Sequence, residues 1–120
     1  MIALTLPIPV STNKLFFNVP GVGRVKTRQY RNWIGSAGWT IQAQRPEKIK
    51  GPVAITISVP RSSRADISNL IKATEDLLVR HQVIEGDGPK IVRSCTVTNT
   101  EPAPETGSII VTITEWKEGA

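Results

Sequence analysis

The chain reads as an α+β domain: a mixed β-sheet carrying two main helices, in the order strand, helix, strand, helix, strand, strand. Three observations predict this. Residues 53–59 (VAITISV) and 109–114 (IIVTIT) alternate or cluster apolar positions as half-buried strands do. Residues 67–80 instead repeat apolar side chains at three- and four-residue steps, the period of a helix with one face on a core. The 120 residues, 21% charged and 39% hydrophobic, suffice for one core without covalent staples, which predicts a single domain over 1–120.

In order, residues 2–6 (IALTL) read as a first strand, closed by Pro7-Ile8-Pro9 because proline lacks the N–H that a sheet ladder uses. A polar loop (STNK, 11–14) and an apolar return (LFF, 15–17) follow. Gly21-Val22-Gly23 marks a turn and not a nucleotide-binding glycine loop, since no strand–helix context surrounds it. Residues 24–27 form a short exposed strand. A helix is expected over 27–44, with Tyr30, Trp33, Ile34, Ala37 and Ile41 at helical spacing and its aromatics turned to the core. Gly35 and Gly38 weaken that helix. Residues 45–51 are a connecting turn. Pro60 ends the next strand, and a basic loop feeds the central helix.

That helix turns Ile67, Leu70, Ile71, Thr74, Leu77 and Leu78 to the core and gathers Asn69, Lys72, Ala73, Asp76 and Arg80 on a different face. Residues 91–98 (IVRSCTVT) are a strand, and 109–114 a last strand paired antiparallel to it. From Glu115 onward a frayed tail is expected.

Charge is uneven. Residues 1–50 hold eight Lys/Arg against Glu47 alone, +7, whereas 51–120 hold seven against nine Asp/Glu, −2. A basic half beside clustered acids suits a polyanion held near a metal centre, and a solvated basic surface is the plainer alternative. The single cysteine, Cys95, excludes an intrachain disulfide and reads as a packed residue. No apolar run approaches the ~20 residues that span a bilayer, and the start lacks a signal-like apolar region, so a cytoplasmic protein without membrane contact is expected.

Carboxylates precede, ride on and follow the central helix: Asp66 where an N-cap belongs, Asp76 within it, and Asp87 in the Glu85-Gly86-Asp87-Gly88 turn. Converging carboxylates need a neutralising cation, and oxygen-only ligands favour Mg²⁺ or Mn²⁺ over zinc. Such an ion polarises a phosphodiester, with Lys72 placed to stabilise phosphate charge. Asp66 as a mere cap, Asp76 as a solvated helix acid and Asp87 as a turn former account for the same pattern without a metal. His81, the only histidine, completes the helix end.

The run PRSSRADISNLIK (60–72), then EDLL (75–78) and VIEGD (83–87), resembles the RusA family of Holliday junction resolvases, small crossover junction endodeoxyribonucleases of bacteria and phages. The opening LTLPIPVSTNKLF (4–16) and closing IIVTITE (109–115) are similar in character and place, so the resemblance spans nearly the whole chain. It implies a RusA-like fold and a homodimer that uses Mg²⁺, with Mn²⁺ as substitute, to cut opposed strands of a four-way DNA junction in recombination and repair. No small-molecule cofactor is implied.

On the family's Asp-x-Asp-Asn motif, Asp66 matches the first acid, Asn69 the Asn and Lys72 the lysine that follows. Asp87 matches the second downstream acid. The resemblance thus makes Asp66, Lys72 and Asp87 catalytic, with Asp66 and Asp87 on the metal. Lys14, Arg61, Arg64 and the 24–31 segment would contact phosphates, with Asn69 and Lys72 also on the DNA. Ser68 and Gly86 stand where the family carries acids. Asp76, or less suitably Glu75, would supply the missing carboxylate; otherwise Ser68 holds the metal through water, or the protein binds branched DNA without cutting it. A basic protein-interaction module is the third reading.

Overall fold

In a computed structural model the chain is described over residues 1–9, 16–60, 67–99 and 107–117, with residues 67 and 68 described by backbone alone. The elements are β1 (Ile2–Pro7), β2 (Phe16–Val19), β3 (Gly23–Lys26), α1 (Arg28–Gln44), β4 (Val53–Ser58), α2 (Ile67–Arg80), β5 (Val92–Thr98) and β6 (Ser108–Glu115). Four strands make one mixed sheet in the order β1-β6-β4-β5, and β2 pairs with β3 in a separate hairpin. The expected class holds, with the hairpin added.

Alternation along the strands puts Leu4, Leu6, Val53, Ile55, Ile57, Ile109, Val111 and Ile113 on one sheet face, none more than 1% exposed. Register matches them across strands: Leu4 lies opposite Val111, which lies opposite Ile57. Both helices join this one apolar cluster, α1 through Tyr30, Trp33, Ala37 and Ile41, α2 through Leu70, Ala73, Leu77 and Leu78. The result is two layers around one core.

Each helix has a local reason to start or stop. Thr27 Oγ1 accepts from the Tyr30 N–H at 3.2 Å, the N-cap of α1. Arg45 turns left-handed (φ +48°), its N–H bonding to the Ile41 carbonyl at 3.1 Å, and Pro46 forbids continuation. At the end of α2, Gln82 is left-handed (φ +59°). Its N–H donates to the Val79 carbonyl, and the Val83 N–H donates back to the Leu78 carbonyl at 2.9 Å, which forms a Schellman closure. The chain then turns into the segment that carries Asp87.

The hairpin follows from Val19-Pro20-Gly21-Val22. Proline presets the second turn position, glycine at φ +78° fills the third, and the Val22 N–H closes on the Val19 carbonyl at 3.0 Å. Phe16 anchors the hairpin edge-on to Tyr30, ring centroids 5.5 Å apart.

Three expectations are corrected. β6 does not pair with β5; it lies between β1 and β4, antiparallel to both, and β5 runs parallel to β4 at the sheet's outer edge. A helix between β4 and β5 makes a crossover, so β5 lands parallel beside β4 and the slot between β1 and β4 is left for β6. Ala73 belongs with the core and not with the polar face, being fully buried. The tail is tied down as far as Trp116: its N–H donates to the Pro52 carbonyl at 2.9 Å, and Arg93 lies 5.5 Å from its ring centre. No helix among the described residues is long and apolar enough to cross a membrane.

Candidate functional site

A cleft of about 320 Å³ opens where α2, the turn after it, α1 and the hairpin meet. Ala73, Asp76, Leu77, Val79 and Arg80 of α2 line it, with Asp87 from the turn, Tyr30 and Ile34 from α1, and Lys26 from β3. The buried methyl of Ala73 leaves the room at its floor, and apolar walls hold two carboxylates and two cations in one concavity. Asp76 and Asp87, eleven residues apart in sequence, are brought together because the Schellman closure reverses the chain beneath α2.

Lys72 lies one helical turn before Asp76, its Nζ 3.7 Å from Asp76 Oδ2. Both groups are about half exposed, so the pair contributes ~0.5 kcal/mol or less. The Glu75 carboxyl is held above its ordinary value by burial, then by Asp87 and Asp76, with Lys72 opposing. The Tyr30 hydroxyl is pushed up by burial and then by Asp76, with Arg80 opposing. Asp76 is thus felt from α1 and from its own helix.

Of the residues the sequence singled out, Asp76 and Asp87 share the cleft and Lys72 adjoins it. Asn69 is half-buried in the first turn of α2. Asp66, Lys14, Arg61, Arg64 and the side chain of Ser68 lie outside the described residues. Glu75 does not line the cleft; it lies toward β5, where it is the lesser cause, after burial, that lifts the Cys95 thiol to about 11. The half-buried Cys95 side chain packs against the core, as expected. His81 also stays out of the cleft and presses its ring against Gly38 of α1. Among the described residues no three His, Cys, Asp or Glu side chains gather as a metal cluster.

Sequence reading placed Lys26 within the 24–31 segment and Tyr30 in the core, and assigned neither to the cleft. Tyr30 sits correctly in the apolar stripe of α1, but only the α1–α2 packing brings it to the cleft lining, under the influence of Asp76 and Arg80. Trp39, on the same helix, is 74% exposed and not core. Gly86 has room for a side chain: a Cβ there would meet only Ile91 Cγ1, at 3.8 Å.

In comparison with known proteins, the chain matches no protein-family model, and no curated protein is significantly similar to it.

Proposed function

We propose that the protein is a Mg²⁺-dependent, structure-selective endodeoxyribonuclease that resolves four-way junctions as a homodimer, as the resemblance to the RusA family implies. One observation supports it most: Asp76 and Asp87 open on a single cleft flanked by Lys26, Lys72 and Arg80. The donor set fits the metal. Two carboxylates without cysteine or histidine suit a hard cation that keeps most of its waters and completes its shell with substrate phosphate. Asp76 and Asp87 would hold it, with Asp66 as a further ligand by the motif match.

Bound there, Mg²⁺ supplies charge neutralisation at the scissile phosphate and a more acidic water. The protein's own groups do the rest. Lys72 and Arg80 meet phosphate charge, and Lys26 holds the strand from the hairpin side. Leu77, Val79 and Ile34 keep bulk water off one wall, which strengthens each of those interactions. In this reading Asp76 takes the place of the acid that Ser68 lacks.

The second reading is a branched-DNA-binding protein that no longer cuts. The Lys72–Asp76 pair favours it, because a lysine already neutralises the carboxylate a metal would use. Cleavage of a labelled synthetic four-way junction beside linear duplex, with Mg²⁺, with Mn²⁺ and with EDTA, separates the two. Metal-dependent paired nicks confined to the junction are expected. A tight gel shift without nicks under either metal means the second reading.

A further inference from the structure

The two edges of the main sheet are unlike. Side chains of α1 close the β1 edge: the Gln44 amide bonds both backbone groups of Thr5, and the Trp33 indole N–H donates to the Pro7 carbonyl. The β5 edge is open among the described residues, with no strand beyond it. The Thr98 carbonyl accepts from the Val59 N–H, so Thr98 turns its backbone groups to β4, and Thr96 and Ser94 do the same by alternation. Cys95 and Val97 therefore aim theirs outward. The strand lacks the usual protections of an edge: Val92–Thr98 holds no proline or glycine, and its one register shift falls at the start. Its apolar side chains are also incompletely covered. Val92, Cys95 and Val97 are half-buried at the rim of the core, whereas Val53, Ile55 and Ile57 on β4 are at most 1% exposed.

Charge and closure select the occupant. β5 carries one charge, Arg93, and Glu75 of opposite sign lies toward the same strand, so this edge is close to neutral in a chain of net +5. A polyanion finds little to hold here. A second copy meets little like charge: the Arg93 guanidinium lies over the Trp116 ring, and in antiparallel pairing ~14 Å would separate it from its counterpart, beyond the Debye length. An edge that pairs with itself also forms a closed dimer and not a fibre, because the β1 edge of each copy is already covered.

We infer that two copies of the chain join antiparallel through β5, Cys95 opposite Cys95 of the second copy, to make one eight-stranded sheet from two of four. Centring on Cys95 uses the whole of the strand, and the outward N–H and C=O of Cys95 then bond reciprocally with those of its counterpart. The two-fold axis stands normal to the sheet, so both helical layers, and both clefts, lie on the same side of it. Paired cuts in opposed strands of one junction need that placing. The inference names the interface of the proposed homodimer and so deepens that reading, on which its account of the clefts rests.

Sedimentation without DNA or metal is expected to show a dimer that Val97→Pro weakens at least about tenfold, since proline removes an outward N–H and spares the β4 ladder. The register is read in Cys95→Ala chains. Ser94→Cys mixed with Thr96→Cys should give a covalent heterodimer under copper–phenanthroline in air, because positions 94 and 96 then face each other with Cα atoms ~4.5 Å apart. Neither variant alone should cross-link, its cysteines lying ~7–8 Å apart on the diagonal. Thr96 is exposed and Ser94 half-buried on the face away from the helices, so this arm holds if Val97→Pro misfolds. A monomeric wild type, a dimer that Val97→Pro leaves intact, or a dimeric mixture without the 94–96 bond overturns the inference. A protein that forms this bond yet cuts no junction loses only the nuclease reading, and one that cuts as a dimer without it loses only β5 as the interface.

Discussion

Two glycines in α1 carry opposite consequences. A Cβ at Gly35 would meet nothing within 4 Å, whereas one at Gly38 would lie 2.6 Å from His81 Nε2. Gly35→Ala should therefore stabilise the protein by ~0.5–1 kcal/mol through helix propensity. Gly38→Ala should cost ~1–3 kcal/mol through overpacking, and His81→Ala in the same chain should relieve part of it; chemical denaturation of the four proteins reads both effects. Sequence alone weighed the two glycines equally, since the difference lies in a neighbour 43 residues away. Cys95 gives a pH-dependent prediction. Its thiol titrates at about 11 against the ordinary 9.0, so the fold favours the protonated form. That contribution is fully present below pH 9 and is lost as pH rises through 11, a loss that Cys95→Ala should lessen. At pH 8, iodoacetamide should label native Cys95 about 100-fold more slowly than the unfolded chain.

At the scale of elements, side chains of α1 cover the edge of β1, where the Trp33 indole N–H donates to the Pro7 carbonyl at 2.9 Å. The Gln44 amide, at the end of α1, accepts from the Thr5 N–H and donates to the Thr5 carbonyl, each at 2.9 Å. It stands where another strand would and blunts an edge open to pairing. Gln44→Ala should cost ~1 kcal/mol in denaturant unfolding and raise the tendency to aggregate on heating. Helices and strands were legible within a residue or two because their hydrophobic periods differ, 3.6 against 2. Strand order was not. Residues 109–114 form as good a strand beside β5 as between β1 and β4, and only the β4–α2–β5 crossover decides. Of the hairpin, the turn and the strand at 24–27 were legible, but β2 was not, because four residues are too few for a period.

Across the whole molecule, charge and chemistry divide along the chain yet meet at one place. The acid-free first part contributes Lys26 and Tyr30 to the same cleft that α2 and its following turn supply with Asp76 and Asp87. Asp76 and Asp87 were legible from their positions within and after an amphipathic helix. That Lys26 and Tyr30 line the same cleft was not, since nothing in their local spacing separates a cleft residue from a core or surface one. The central claim is that Asp76 and Asp87 together carry the chemistry, and one measurement tests it most directly: Mg²⁺-dependent cleavage of a labelled four-way junction by the wild type, Asp76→Asn and Asp87→Asn, beside a gel shift of each on the same junction. Each substitution should lower cleavage at least about 100-fold, a loss of ~2.7 kcal/mol in transition-state stabilisation, while junction binding persists or tightens as a negative charge leaves the site. Wild-type cleavage rates in either variant would contradict the account.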